Sequence, residues 1–177
     1  MKLEVPFYSQ FSDVTLDEWK DRACAPTCLK MVLDFLSEGK FEKGIDDLIK
    51  EGLEIGAYQE GIGWIHTGLV RLAHNHGFLG YNEEFRSLNK EIESGFIEKG
   101  IVKIKKTIES GLPVIISCSK NFDEFQKFHQ VILTGFDENG FYYNEPHKEN
   151  KEEGSNQFVD FQTFRTHWRK FALFLSK

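Results

Sequence analysis

The most regular hydrophobic pattern in the chain follows the Cys-Ala-Pro-Thr segment of residues 24–27. Apolar residues recur there at three- and four-residue steps, at Cys28, Leu29, Val32, Leu33 and Leu36. This spacing predicts an amphipathic helix whose buried side begins at Cys28. Pro26 suits the first position of such a helix, because its missing N–H would have no partner there. Cys24 is therefore expected at, or just before, the start of the helix.

Helical periodicity also occurs in other parts of the chain. These predicted helices cover residues 45–49, 64–76, 97–108 and 160–168. Gly77 follows the segment 64–76 in the position of a C-cap. The glycine-rich residues 52–63 are interpreted as a loop, and residues 80–94 fit neither a helix nor a strand pattern.

Short apolar runs, concentrated in the second half of the chain, predict strands. They cover residues 3–7, 114–118, 129–136, 141–144 and 171–175, and Pro6 would put the first of them at a sheet edge. Residues 119–128 are interpreted as a loop, and Asn139 with Gly140 forms the dipeptide that favours a tight hairpin. Helices come first and a mostly antiparallel sheet second, so the predicted class is α+β, in a single domain over residues 1–177.

Composition and charge narrow the function classes. The chain has 177 residues, of which 40% are hydrophobic and 17 are phenylalanine, and this predicts a packed core. Its formal net charge of −6 gives no electrostatic reason to expect nucleic acid as a partner. No apolar run approaches the roughly 20 residues that span a bilayer, and the N-terminus lacks the apolar region of a signal peptide. We therefore expect a cytoplasmic location for the chain as given, and secretion stays open if a signal has been removed.

The cysteine content argues against a disulfide framework and a metal site. The three cysteines, Cys24, Cys28 and Cys118, are an odd number and form no Cys-x-x-Cys pair. The only compact source of further zinc ligands is His74 with His76, and we interpret these as residues at a helix C-terminus, where histidines meet free carbonyl groups. The prediction is reduced thiols, no metal and no cofactor.

Cys24 is the candidate nucleophile. Free N–H groups and the helix dipole favour an anion at a helix N-terminus, and they lower the pKa of a cysteine there below its free value of about 8.5. The alternative is that Cys24 is a small buried hydrophobic residue, as most free cysteines are. The local sequence leaves both interpretations open.

Five sequence blocks, taken in order, resemble a known family. They are residues 5–10 (VPFYSQ), 24–27 (CAPT), 111–114 (GLPV), 129–135 (HQVILTG) and 143–146 (YNEP). Their order and spacing resemble the papain-like cysteine peptidases related to the bacteriocin-processing, double-glycine-leader peptidases, and in particular their stand-alone relatives. The resemblance extends from Val5 to the terminal strand, and the combination of blocks carries it, since no single block is specific.

The resemblance implies a papain-like fold and assigns roles to individual residues. In that family a cysteine just ahead of a helix attacks a carbonyl, and Cys24 matches it. A histidine at a strand start takes the proton, which matches His129, and a carboxylate at the end of the next strand orients the imidazole, which matches Glu145. A glutamine before the cysteine helps to bind the oxyanion, and Gln10 matches it. Asn144 is kept as an alternative third residue, because amides also serve in that role.

Two positions depart from the family pattern. Ala25 stands where glycine is common, so its methyl group could narrow the cleft, and Glu145 stands in place of aspartate, which changes the reach to Nδ1 of His129. Hairpin arithmetic adds a test. A two-residue turn at residues 138–139 would set Glu145 opposite Ile132, three positions and about 10 Å from His129. Contact between the two therefore requires a wide turn, a bulge or a bent strand end.

The predicted function is a cysteine peptidase or amide hydrolase that cleaves a peptide or isopeptide bond of a peptide or protein substrate through a thioester. A catalytically silent binding module and an acyl or amide transferase (deamidase or transamidase) stay open as alternatives. Leader processing is not carried over, since the double-glycine-cleaving relatives are fused to transporters and this sequence shows no transporter segment. Oligomeric state is not predicted. The remaining histidines are interpreted as structural or surface residues, and they include His66, His147 and His167.

Overall fold

The structure, a computed structural model, describes residues 1–177 with the exception of the Gln126 side chain. Its helices are a short 3-10 helix (Asp17–Arg22), α1 (Cys24–Leu36), α2 (Ile45–Glu54), α3 (His66–Asn75), α4 (Lys90–Glu109), α5 (Lys151–Gly154) and α6 (Phe161–His167). Its strands are β1 (Tyr58–Gln59), β2 (Gly63–Trp64), β3 (Leu79–Glu84), β4 (Val114–Lys120), β5 (Glu124–Phe136), β6 (Gly140–Asn144), β7 (Gln157–Asp160) and β8 (Trp168–Ser176).

A six-stranded sheet forms the centre of the fold. Its strand order is β3-β8-β4-β5-β6-β7, and all of its neighbouring strands are antiparallel. β1 and β2 form a separate two-stranded hairpin. The predicted α+β class, with helices packed on a mostly antiparallel sheet, is confirmed.

Helices cover both faces of the sheet. Alternate residues of a strand point to opposite faces, and Ile115 and Ile116 of β4 show this. Ile115 belongs to the hydrophobic cluster that contains the buried sides of α1 and α3, whereas Ile116 belongs to the cluster that contains those of α4 and α6. Burial of these apolar sides, more than intrinsic helix propensity, holds the helices against the sheet.

Helix α1 begins at Cys24, as the hydrophobic pattern predicted. The N–H of Thr27 donates to the carbonyl of Ala23 at 3.0 Å, and this is the first hydrogen bond of the helix. Pro26 is therefore the third helical residue rather than the first, but its missing N–H still falls among groups that lack a helical partner. None of the described side chains caps this end of α1. The N–H groups of Cys24 and Ala25 are thus left without intrahelical acceptors.

The prediction of an edge strand at residues 3–7 is wrong. Lys2, just before that segment, makes an isolated bridge with Gly135 instead. The pairing of β4 with β5 ends at Leu133, so the N-terminal residues lie beside the part of β5 that β4 leaves uncovered. Pro6 has no N–H to donate, which limits how far a ladder could continue through this segment.

The prediction of a loop at residues 119–128 is also wrong in large part. β4 continues to Lys120, and β5 already begins at Glu124, which pairs with it. Phe125 and Phe128 are three positions apart and both exposed, and this hides the alternation that would have indicated a strand.

Two segments gain structure that the hydrophobic pattern did not define. The glycine-rich residues 52–63 include the end of α2 and most of the β1–β2 hairpin, and residues 80–94 contain most of β3 and the start of α4. Of the helices in the described part of the chain, none combines the length and apolar character needed to cross a membrane.

Candidate active site

Cys24 lines a cavity of about 420 Å³ and keeps part of its surface exposed to solvent. Its thiol lies close enough to the imidazole of His129 and to the backbone N–H of Gln130 for both groups to lower its pKa. Both partners belong to β5 and line the same cavity. The packing of α1 against the sheet thus brings the candidate nucleophile beside the candidate base.

The thiol of Cys24 and the imidazole of His129 favour each other's charged forms. Burial by itself raises the pKa of Cys24, but the neighbouring imidazole of His129 and its positive charge outweigh it and hold that pKa below its ordinary value. Burial likewise lowers the pKa of His129, but the charge of Glu145 and the contact with Cys24 raise it to about 10. These opposite shifts favour a thiolate paired with an imidazolium near neutral pH.

Glu145 supplies the negative charge beside His129. Its Oε1 accepts a hydrogen bond from Nε2 of His129, and both side chains are buried. The carboxylate therefore contacts Nε2 and not Nδ1, the nitrogen expected from the sequence, which leaves Nδ1 to face the thiol. The same Oε1 accepts the backbone N–H of His147 at 2.9 Å. Burial would raise the pKa of Glu145, but the charge and hydrogen bond of His129 keep it below its ordinary value.

The hairpin between β5 and β6 starts in the register expected for a two-residue turn. Phe136 pairs with Phe141 beside the turn, and this register would set Glu145 opposite Ile132. Because successive residues of a strand point to opposite faces, Glu145 would then lie on the face opposite to His129. In that register the two side chains could not meet.

A β-bulge around Thr134 changes the register by one residue. Continued past the end of β6, the new register sets Glu145 opposite Val131 and on the same face as His129. The two residues are then diagonal neighbours across the strands, a separation that a long side chain can bridge. The extra methylene of glutamate, compared with aspartate, provides this reach. The bulge is one of the three features that the hairpin arithmetic required.

Asn144 is buried, and its amide is bonded to parts of the chain other than His129. Its Nδ2 donates to the carbonyl of Val5 at 3.4 Å, and its Oδ1 accepts the N–H of Asn156 at 3.1 Å. These contacts join β6 to the N-terminal segment and to the residues ahead of β7. They favour Glu145 over Asn144 as the partner of His129.

Gln10 is buried between the segment that precedes Cys24 and the segment that follows Glu145. Its Nε2 donates to the carbonyl of Lys20 at 2.7 Å, and its backbone N–H donates to the carbonyl of Pro146 at 2.9 Å. Its Oε1 has no hydrogen-bond partner among the described residues. Gln10 does not line the cavity itself, and its role at an oxyanion stays a prediction.

The other two cysteines differ from Cys24 in exposure and charge environment. Cys28 and Cys118 are both fully buried, and Sγ of Cys28 donates to the carbonyl of Gln130 at 3.4 Å. Burial raises the pKa of both thiols well above the ordinary value, and the charge of Glu145 adds to the effect. Both are therefore poor nucleophiles in the folded protein.

The methyl group of Ala25 packs into the core. The residue is 1% exposed and belongs to the hydrophobic cluster that also contains Cys28 and Leu29, although part of it borders the cavity. The narrowing of the cleft expected from this substitution is therefore small.

Two histidines that the sequence analysis treated as structural lie at the site. The ring of His147 packs edge-on against that of His129, with 5.9 Å between the centroids. His66 lines the cavity, and its Nε2 lies 2.7 Å from Oγ of Ser117. Of these two histidines, the sequence could have indicated only His147 as a site residue, because it follows Glu145 by two positions. His66 and Ser117 come from α3 and β4, and local sequence does not indicate that these elements meet.

The rest of the cavity wall is aromatic and charged. Its aromatic side chains are Tyr58, Trp64, Phe128 and Phe171, and its further charged residues are Asp21, Arg22 and Arg169. Trp64 donates from Nε1 to the carbonyl of Arg22 at 2.7 Å, which ties the β1–β2 hairpin to the segment before Cys24. A cavity with this mixture of apolar walls and convergent polar groups is typical of a substrate site.

A family comparison agrees with this geometry. Residues 2–173 match the sequence profile of the Peptidase_C39 like family. The chain belongs to this family. The resemblance read from the five sequence blocks is thereby confirmed. The sequence matches none of the curated proteins with which it was compared.

Solved structures of C39 peptidases have the same fold. A double glycine motif protease from an AMS/PCAT transporter, in complex with its leader peptide, has a TM-score of 0.62 and 18% identity over 99% of this chain and 94% of that one. A protein described as a C39-like peptidase from Bacillus anthracis has a TM-score of 0.66 and 19% identity, over 100% and 98%. The peptidase domain of Streptococcus ComA, a bifunctional ABC transporter, has a TM-score of 0.61 and 15% identity, over 88% and 92%. Family and fold together identify a papain-like cysteine peptidase domain.

Proposed function

We propose that this C39-like protein hydrolyses a peptide or isopeptide bond through a thioester on Cys24, with His129 and Glu145 completing a catalytic triad. The observation that carries the proposal is the buried hydrogen bond between His129 and Glu145 beside the thiol of Cys24, at the wall of a cavity that both Cys24 and His129 line. The pKa of His129 is raised and the pKa of Cys24 is lowered, which favours an imidazolium beside a thiolate. Thiol peptidases use this charge state.

In the first step, the Cys24 thiolate attacks the substrate carbonyl. A C–S bond forms, the C=O electron pair moves to oxygen, and a tetrahedral oxyanion results. Nδ1 of the His129 imidazolium then gives its proton to the leaving amine, and the C–N bond breaks. The products are a free amine and a thioester on Cys24.

The oxyanion needs preorganised hydrogen-bond donors. The N–H of Cys24 is suited to the role, because it lies in the first turn of α1 and has no intrahelical acceptor. Gln10 is the proposed second donor. Its Nε2 carries two hydrogens, of which the bond to Lys20 uses one, and this bond also fixes the orientation of the amide.

In the second step, water hydrolyses the thioester. Neutral His129 takes a proton from the water, the oxygen attacks the carbonyl carbon, and the C–S bond breaks to release a carboxylic acid. Glu145 holds the ring by Nε2 throughout and stabilises the imidazolium each time it forms. Because the carboxylate and the imidazolium carry opposite charges, Glu145 stabilises the charged ring as well as orienting it.

A peptide library tests the proposal. The protein and its Cys24→Ala variant are incubated separately with a proteome-derived peptide mixture, and new termini are mapped by mass spectrometry. We expect cleavage products with the wild type alone. In isotopically labelled water, the new carboxyl group should carry one labelled oxygen.

The same experiment separates the alternatives. Product amides formed with an added primary amine, in place of labelled acids, would identify a transferase. If no peptide is cleaved and Cys24 reacts with electrophiles no faster than a free thiol, the protein is a binding module that retains the fold.

A further inference from the structure

Arg169 is a charged residue of the cavity that the proposed mechanism does not use. It lines the same cavity as Cys24 and His129 and is half-buried there. Its guanidinium lies 3.2 Å from the ring centroid of Phe128, another cavity residue. Among the described residues, it has no carboxylate within ion-pair distance and no side-chain hydrogen bond.

Among the described residues, three of the other four arginines have such partners, and the exposed Arg71 does not. Arg22, also at the cavity, lies 3.4 Å from Glu60, Arg86 lies 3.0 Å from Glu84, and Arg165 makes a two-pronged contact with Glu98. These three pairs are mostly exposed, where charges need partners least. Arg169 is more buried than they are, and its charge is nevertheless left uncompensated.

The groups near Arg169 include further basic side chains. Burial lowers its pKa, and the nearby Arg86 lowers it further. Arg169 in turn lowers the pKa of His66, after the effect of burial, so these two groups are close together. Ser117, whose Oγ lies 2.7 Å from Nε2 of His66, lines the same cavity.

A strained bulge in β8 presents Arg169 at this position. Ser117 pairs with Phe171 and Cys118 pairs with Trp168, so two residues of β8, Arg169 and Lys170, have no partner on β4. Lys170 has a φ of 64°, in the left-handed region that a side chain disfavours. Bulges beside active sites often direct a side chain into the site, and strain of this kind is retained where the surrounding structure requires it.

We propose that the cavity binds substrates through a carboxylate that pairs with Arg169, either an acidic side chain or the C-terminal carboxylate of a peptide. This inference rests on the proposed thiol chemistry at Cys24, because it names the class of substrate for the same site. A carboxylate would accept bidentate hydrogen bonds from the guanidinium and neutralise its charge.

Charge-matched alkylating probes test the proposal without a known substrate. N-iodoacetylglycine and its amide differ in a terminal carboxylate, and the N-iodoacetyl α-amides of glutamate and glutamine differ in a side-chain carboxylate. In each case the Cys24 thiolate attacks the CH₂ carbon, the C–S bond forms, and iodide leaves. The quantity measured is the ratio of the rate constants for the acid and the neutral probe of each pair, at Cys24 identified by peptide mapping.

The ratio is compared in the wild type, Arg169→Gln, Arg169→Lys and Arg71→Gln. Arg71 is exposed on α3 and does not line the cavity, so its replacement makes the same change in net charge at a distance. We expect Arg169→Gln to lower the acid-to-neutral ratio at least about threefold for one probe pair or both. Arg169→Lys should restore most of it, and Arg71→Gln should leave it unchanged. The pair that responds identifies the source of the carboxylate.

Unchanged ratios in Arg169→Gln, with Cys24 still the labelled residue, would overturn the carboxylate proposal and leave the proposed function intact. Loss of selective labelling at Cys24 in the wild type would overturn both. The rate constant for the neutral probe reports whether each variant keeps a folded site, because it does not depend on the charge of residue 169.

Discussion

Glu145 accepts a hydrogen bond from Nε2 of His129 although the two residues are not opposite each other in the sheet. They meet because the bulge around Thr134 moves the β6 end onto the face of His129, and because glutamate is long enough to bridge the remaining diagonal. The contact thus requires both the bulge and the length of the glutamate side chain. A shorter acid in the same register would leave the imidazole without its partner.

This relationship predicts the effect of replacing Glu145. Glu145→Gln should slow acylation of Cys24 by p-nitrophenyl acetate by about one to three orders of magnitude, because an amide can hold the ring but cannot stabilise its charge. Glu145→Asp should slow this acylation at least about tenfold, since the shorter side chain cannot reach His129 across the diagonal between the strands. The release of p-nitrophenolate measures the acylation rate of both variants. The control is Glu152→Gln, an exposed change on α5 that should have no effect. Full activity in both Glu145 variants would mean that Cys24 and His129 act as a dyad.

Asn144 should matter for stability rather than for chemistry. Asn144→Ala leaves the N–H of Asn156 and the carbonyl of Val5 without their side-chain partner in a buried region, which should cost about 1–3 kcal/mol of unfolding free energy. Urea denaturation measures this cost. Acylation of Cys24 under folded conditions should change less than about twofold. A large loss of acylation without loss of stability would assign the third role to Asn144.

Local patterns in the sequence predicted the elements better than the contacts between them. The apolar steps after Cys24 located α1, because a buried helix side must recur at the helical period. The contact between Glu145 and His129 depended on a single bulge, and a turn dipeptide carries no information about a register shift further along the strands. The cavity residues His66, Ser117 and Arg169 come from α3, β4 and β8. Only the folded sheet shows that they are neighbours.

Cys24 should be the reactive thiol of the folded protein. It is partly exposed and its pKa is lowered, whereas Cys28 and Cys118 are buried and their pKa values are raised. Limited iodoacetamide treatment followed by peptide mapping should label Cys24 at least about tenfold faster than the other two. In concentrated guanidinium the three rates should become similar, which controls for intrinsic differences. Preferential labelling of Cys118 in the folded protein would remove Cys24 as the nucleophile.

The pH dependence of this alkylation should report the His129 contact. The pKa of Cys24 is held below its ordinary value by His129 against the opposing effect of burial. The rate of alkylation should therefore rise through a midpoint on the acid side of a free thiol. His129→Ala removes the lowering effect and leaves the burial, so the midpoint should move upward by about one pH unit or more. His74→Ala, a change at an exposed histidine, should leave it in place. An unchanged midpoint in His129→Ala would show that the two side chains do not interact.

Gln10 can be tested by comparing two reactions of the same thiol. Attack on an ester carbonyl develops an oxyanion, whereas displacement of iodide from iodoacetamide develops none at the site of attack. If Gln10 donates to the oxyanion, Gln10→Ala should slow acylation by p-nitrophenyl acetate by about 10- to 100-fold and leave alkylation by iodoacetamide within about twofold. Gln162→Ala, an exposed change on α6, should alter neither rate. A structural role for the buried Gln10 amide, through its bond to Lys20, would instead slow both reactions together and reduce the selectivity for Cys24. Unchanged rates in both reactions would show that Gln10 does not donate to the oxyanion, and would leave the backbone N–H of Cys24 as its proposed donor.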